Sequence, residues 1–318
     1  MTAVPGVTPD VFRVPSLPAG VTLYEVGPRD GLQNESEPVD VAVKVEFIER
    51  LVDAGVRAVE LTSMVRPDRV PQLADAELLL ERLSLPLDVR AVVLVPNLLG
   101  LERVLDHGVR EIAIFASATE TFSQRNLGRS IDDSFRMFEP VVAAARDADV
   151  TVRAYVSMCF GDPWEGHVAV SQVIDVGSHL LGLGCHQLSI GDTIGTGTPG
   201  HVTALIDAFA AAGVPSARLA AHFHDTYGQA LANAYAALQR GVTTIDASAG
   251  GLGGCPFARS ATGNVATEDV VWQLHGLGIE TGIDLVALAE TSDWLAGRLG
   301  RPSPSRAVRA ITARRALP

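Results

Sequence analysis

The chain has 318 residues, of which 47% are hydrophobic and 19% charged. That balance excludes a disordered or fibrous chain, and the length leaves ample surface for a core. A formal net charge of −12 argues against a nucleic-acid footprint, so no nucleic-acid partner is expected.

Three cysteines make a disulfide framework a poor fit and suit a reducing compartment. No apolar run reaches about 18 residues, so no membrane span or membrane partner is expected. Residues 1–20 lack the apolar core of a signal peptide and the Arg-rich character of a transit peptide. The cytoplasm is therefore the expected location.

Short β-branched runs alternate with stretches of helical period. In chain order the runs are Val21–Val26, Ala58–Leu61, Val89–Val95, Glu111–Ala116, Thr151–Val156, His186–Ile190, Leu219–Phe223 and Thr243–Ala247. Several are continuously apolar, as parallel strands covered on both faces require. Between them, Val41, Val45, Ile48 and Val52 form one stripe. Val202, Leu205, Ile206 and Phe209 form another. Glycines 55, 108, 184, 213 and 241 stand where helices end and a left-handed residue is wanted. Eight strand–helix units without a long linker predict an α/β fold, a single-domain (β/α)₈ TIM barrel. A doubly wound open sheet is the alternative. The barrel is expected over residues 21–300, with an N-terminal arm at 1–20 and a C-terminal tail at 301–318. In such a barrel the active site lies at the C-terminal ends of the strands.

Polar residues after each run are thus the first candidates. The first run ends in Gly27-Pro28-Arg29-Asp30-Gly31-Leu32-Gln33-Asn34-Glu35. This is either a turn with a local ion pair or a site. Glu60 and Asp192 are acids placed in apolar strands, and buried acids are rare unless paired. Asn97 and Ser117 to Glu120 follow the third and fourth runs, where a cap or turn explains each singly. Gly195-Thr196-Gly197-Thr198-Pro199-Gly200 matches GxGxxG, but it follows the sixth strand rather than the first. Pro199 reads better as the first residue of a helix.

The seventh run leads into His222-Phe223-His224-Asp225-Thr226-Tyr227-Gly228. Residues two apart on a strand point to one side, so His222 and His224 converge as metal ligands do. Two imidazoles with carboxylate and amide oxygens suit Mg²⁺, Mn²⁺ or another octahedral divalent ion. After the eighth run, Gly250-Gly251-Leu252-Gly253-Gly254-Cys255 forms a loop that can move or let a ligand come close. Cys255 is either a small buried hydrophobe or an accessible thiol. Asn264 and Glu268 are spaced for one helix face, and Asn264 is either an N-cap or an amide-oxygen ligand.

At these residues the sequence resembles the hydroxymethylglutaryl-CoA lyases, within the metal-dependent TIM-barrel lyases and Claisen-type synthases. Residues 26–35, 222–228 and 250–258 carry the resemblance, and 190–195 and 262–269 extend it. The resemblance implies that Asp30, His222, His224 and Asn264 bind Mg²⁺ or Mn²⁺. It implies that Arg29 faces the thioester carbonyl, with Glu60, Asp192, His222 and Cys255 in the catalytic set. Gln33, Ser63 and Glu268 are placed around the bound group.

The implied activity is cleavage of 3-hydroxy-3-methylglutaryl-CoA to acetyl-CoA and acetoacetate, a step of leucine degradation. The implied partner is an acyl-CoA, and the implied assembly a homodimer. A lyase for a longer 3-substituted glutaryl-CoA, a Claisen-type synthase and a silent acyl-CoA-binding barrel are the other readings. Asp162 stands where such lyases often carry Cys, Phe257 replaces a frequent Tyr, and Ser260 a frequent Gly. None of these removes a ligand.

Overall fold

Each apolar run becomes one strand in a computed structural model that describes residues 7–254 and 263–315. The strands are β1 (Thr22–Glu25), β2 (Ala58–Ser63), β3 (Arg90–Leu94), β4 (Glu111–Ser117), β5 (Thr151–Ser157), β6 (Gln187–Asp192), β7 (Leu219–Phe223) and β8 (Thr244–Ala247). They close into one parallel barrel in the order β1 to β8, so the single-domain TIM barrel is the observed fold. The open sheet is excluded because β1 pairs with β8.

Side-chain alternation divides the barrel into two cores. One face of the strands packs on the surrounding helices and forms the large apolar cluster. The other face fills the barrel interior with Tyr24, Val26, Ala58, Val92, Leu94, Ala113 and Tyr155. Polar residues share that interior: Glu60, Arg153, Gln187, Ser189 and Asp246 are all buried.

The helical stripes hold with one shift. In the helix Pro199–Ala211, Val202, Leu205, Ile206 and Phe209 are all buried, and Pro199 opens it as expected. In Val41–Asp53 the buried face is Lys44, Phe47, Ile48, Leu51 and Val52, so the stripe lies slightly round from the one expected. Lys44 is buried there because Nζ donates to Gln72 O and Asp75 Oδ1, both at 2.6 Å. The five glycines expected to close helices all have positive φ. At Gly55 a Cβ would also meet Gly282 O at 2.2 Å, so only glycine fits.

The chain ends are fastened to the barrel. Val21 N donates to Glu280 O and Phe12 N to Gly276 O. At the other end, the segment expected as a tail carries a helix, Arg306–Arg315. Its start is bound through Asp269, which accepts from Ser305 Oγ at 2.8 Å and Ala307 N at 2.7 Å. Among the described residues no helix is long and apolar enough to cross a membrane.

Candidate active site

The mouth of the barrel is built first at β1. Beyond Val26 the chain makes a π-helical turn, Gly27–Gly31, that Pro28 starts. Val26 O accepts from both Asp30 N and Gly31 N. The turn breaks strand alternation, which lets the neighbours Arg29 and Asp30 serve one site. Arg29 Nε donates to Glu60 Oε2 at 2.6 Å and Nη1 to Asp30 Oδ1 at 2.7 Å. The guanidinium carbon lies 5.5 Å from the centre of the Tyr155 ring. Burial alone would lower the Arg29 pKa, but Glu60 and Asp30 outweigh it and raise it. The group is a permanent cation held rigidly at the strand end. Glu60 Oε1 is buried without a partner, so the pair leaves one acceptor unused.

Asp30 then faces the histidines of β7. Ligand atoms of Asp30, His222 and His224 all lie within 4.8 Å of one another. Burial would raise the Asp30 carboxyl, yet Arg29, His222 and His224 hold it below its ordinary value. Burial, helped by His222, lowers His224 to about 4. At neutral pH the triad is therefore an anion and a neutral imidazole beside His222. His224 Nδ1 is buried with no hydrogen-bond partner. An orphaned imidazole nitrogen beside an ionised carboxylate is the donor set of a divalent cation. These residues fit Mg²⁺ or Mn²⁺ in kind.

Asn264 sits at the same point but not as a helix cap. The helix expected to carry both Asn264 and Glu268 begins only at Thr267, with Ala266 as its cap. Asn264 instead makes a bridge with His224, and its Nδ2 donates to Asp30 Oδ2 at 2.8 Å. It thus presents nitrogen to the carboxylate; turning the amide about Cβ–Cγ would present Oδ1 instead.

Asp192 is the last residue of β6; in the pairing of β6 with β7 it lies opposite Phe223, one step beyond the pair of Gly191 with His222. Thr196 N and Gly197 N donate to its two oxygens, each at 2.9 Å. The GxGxxG stretch is thus a cradle for a carboxylate side chain. Burial lifts Asp192 to about 6 against those two N–H donors.

Other expected site residues share no hydrogen bond with this group among the described residues. Glu268 accepts from Gly250 N and from Ser292 Oγ, so it braces the turn that starts the glycine loop. Ser63 is buried at the end of β2, where Oγ accepts from Val65 N and shapes the turn. Gln33 is half-buried just after the β1 turn. Asn97 caps the helix Leu98–Leu105 by accepting from Gly100 N, so the cap explains it. Cys255, Phe257 and Ser260 lie outside the described residues.

Sequence reasoning missed four buried groups. Asp246 on β8 faces His222 Nδ1 at 3.3 Å. Arg153 on β5 pairs with Asp246, and its guanidinium lies 3.8 Å from the Tyr24 ring centre. Tyr155 stands edge-on to His222, with centroids 6.0 Å apart, while also facing Arg29. Glu25 on β1 accepts from Gly27 N, Ala249 N and Thr267 Oγ1. Each lies within an apolar run, the same signal that picked out Glu60.

This arrangement can do one kind of chemistry well. A fixed guanidinium and a divalent-cation triad share Asp30, so two oxygens of one ligand can be polarised a few ångströms apart. A carboxylate near neutrality stands at the rim as a proton acceptor.

Known proteins resemble this chain in sequence and fold. A family model described as HMGL-like matches residues 20–295. The 3-hydroxy-3-isohexenylglutaryl-CoA/hydroxy-methylglutaryl-CoA lyase of Pseudomonas aeruginosa is 48% identical, over 94% of this chain and 99% of its own length. The mitochondrial hydroxymethylglutaryl-CoA lyase of Arabidopsis thaliana is 49% identical, over 94% of this chain but only 64% of its own length. A crystal structure of hydroxymethylglutaryl-CoA lyase from Pseudomonas aeruginosa superimposes with a TM-score of 0.91 at 48% identity, covering 94% of this chain and 99% of that one. An HMG-CoA lyase from Acinetobacter baumannii, solved with coenzyme A and 3-methylmalate, gives 0.88 at 34% identity, covering 94% and 97%. With the matching model spanning nearly the whole barrel and both of its charged strand ends, this chain belongs to the HMGL-like family.

Proposed function

We propose that this chain is a divalent-metal-dependent carbon–carbon lyase that cleaves 3-hydroxy-3-methylglutaryl-CoA to acetyl-CoA and acetoacetate. The observation that carries the reading is the position of Asp30, which touches Arg29 and belongs to the triad with His222 and His224. Two electrophilic subsites thus adjoin at one barrel mouth. With this reading go Mg²⁺ or Mn²⁺ as cofactor, an acyl-CoA substrate, a homodimer, and a place in leucine breakdown in the cytoplasm.

Held by Asp30, His222 and His224, with Asn264 beside them, the ion supplies Lewis-acid polarisation of substrate oxygens. The chain does the rest. Asp192, near 6, accepts the proton of the C3 hydroxyl at neutral pH. The C2–C3 bond then breaks, C3 becomes the ketone of acetoacetate, and the bonding electrons pass to the thioester oxygen as an enolate. Arg29 N–H groups face that oxygen, and such donors typically contribute about 3–4 kcal/mol to the transition state. Cys255 returns a proton to C2, which gives acetyl-CoA. The glycine loop, braced at its start by Glu25 and Glu268, excludes water.

The test is an assay of metal-stripped protein with hydroxymethylglutaryl-CoA, following acetoacetate. Addition of Mg²⁺ or Mn²⁺ is expected to restore a kcat of about 10 s⁻¹, the ordinary enzyme range. Metal bound at full occupancy with no acetoacetate formed would sink the reading.

A further inference from the structure

Below the triad lies a buried polar layer that the reaction itself does not use. Its centre is Asp246, whose side chain is entirely buried. Oδ1 accepts from Arg153 Nη2, and Oδ2 accepts from Ser189 Oγ at 2.6 Å and faces His222 Nδ1 at 3.3 Å. In the register of the barrel His222 pairs directly with Asp246, and Asp246 with Tyr24. Arg153 is immobilised in turn. It lies between the Tyr24 and Tyr155 rings, donates Nε to Gln187 Oε1 at 3.1 Å and Nη1 to Tyr155 Oη at 3.1 Å.

We infer that Asp246 is a positioning residue that presets His222 for the metal, whereas the ring of His224 is set by the ion itself. The argument is one of donors and acceptors. A carboxylate paired with a buried guanidinium only accepts. The hydrogen between Asp246 and His222 therefore sits on His222 Nδ1. Nε2 is left with its lone pair, turned away from Asp246. A carboxylate behind a ligating histidine fixes both its tautomer and its ring plane. His224 has no such partner: among the described residues no hydrogen bond reaches either of its ring nitrogens, and Nδ1 is buried. The two histidines of one His-x-His pair thus enter the site differently. The inference rests on the triad reading given above.

The test uses the full chain labelled with ¹⁵N at histidine, free of metal. His222→Gln and His224→Gln spectra assign the two rings. Wild type is expected to show His222 as the Nδ1–H tautomer and His224 as a mixture that sharpens on adding Mg²⁺. In Asp246→Asn the amide can donate, so the His222 proton is expected to move towards Nε2. Mn²⁺ affinity, read by electron paramagnetic resonance without substrate, is expected to weaken about 10–100-fold. Ser189→Ala, which keeps the carboxylate, is expected to change it far less.

A His222 found as Nε2–H in wild type would overturn the inference. So would Asp246→Asn with unchanged Mn²⁺ affinity. Should Asp246→Asn not fold, because Arg153 loses its counter-charge, the wild-type tautomer alone decides. Failure of wild type to bind Mn²⁺ at all would instead remove the triad reading, and the tautomer would still test Asp246.

Discussion

Two pairs of buried carboxylates lie within the same barrel and behave oppositely. Asp30 and Asp246 are answered by cations, Arg29 and Arg153, and both stay below their ordinary values despite burial. Glu25 and Glu268 are answered by N–H and O–H donors only. Burial lifts Glu25 to about 7 and Glu268 to about 8 against those bonds. The first pair lies at and below the metal triad. The second flanks the turn Ala249–Gly251, with Glu25 on Ala249 N and Glu268 on Gly250 N. Neutral donors hold a backbone in place without fixing a charge, whereas a guanidinium fixes the charge as well. Of these four, the two permanent anions lie where an ion must be held, and the two near-neutral acids lie where only a loop must be held.

The largest break in that comparison comes from the cation-answered side. Asp30→Ala removes a ligand and a partner of Arg29. Loss of several kcal/mol of Lewis-acid assistance corresponds to a fall in kcat of roughly 10³-fold. Equilibrium dialysis with Mn²⁺ should show the affinity lost in parallel, and retained affinity would strike Asp30 from the ligand set. Arg29→Lys comes next. It keeps a charge beside Glu60 but loses the planar fork, so kcat is expected to fall about 10²-fold with KM little changed. A change confined to KM would place Arg29 in ground-state binding only.

The neutral side responds through stability rather than rate. Glu268 lies above its ordinary value of 4.5, so the folded chain keeps a proton that the unfolded chain has released. Its share of stability is greatest below about pH 4.5, declines as pH rises, and levels off above about 8. Glu25 adds to the same decline up to about 7. Glu268→Gln is expected to flatten the fall of Tm between pH 6 and 8.5 by a few degrees, on the order set by domain size. An unchanged slope would mean that Glu268 is already ionised in the folded chain over that range.

The smallest effect is a silence. Burial pushes Cys159 and Cys185 up to about 12, so at pH 8 only about one in ten thousand of either is thiolate. Neither is expected to react with a thiol reagent until the chain unfolds. Rapid native labelling at either would show that the packing around it opens.

Much of this was legible in one dimension. All eight observed strands lie within two residues of the apolar runs, because a parallel strand buried on both faces needs a continuous apolar stretch. Arg29, Asp30, His222 and His224 stood out because they lie where such a stretch stops. Glu60 stood out because an acid inside one is costly. The same cost attaches to Glu25, Arg153 and Asp246, yet each stayed hidden in its run. Their meaning depends on partners: Arg153 meets Asp246 across 93 residues, and Glu25 meets Ala249 across 224. Such pairings exist only once the barrel closes and sets its register. The helix spacing assumed for Asn264 and Glu268 failed for the opposite reason. Asn264 belongs to the bridge with His224, and tertiary pairing overrode the local period.

Lys44 has a consequence of its own. It is the only lysine in the sequence, and every other long basic side chain is an arginine. Its ammonium is clamped beneath the corner of the helices Val41–Asp53 and Ala76–Arg82 by Gln72 O and Asp75. The folded surface therefore offers amine-directed chemistry no side chain. An acylating reagent or a lysine-specific protease can reach this one lysine side chain only when that corner opens. The rate of such a reaction is a clock for local opening of this corner, readable without any engineered label.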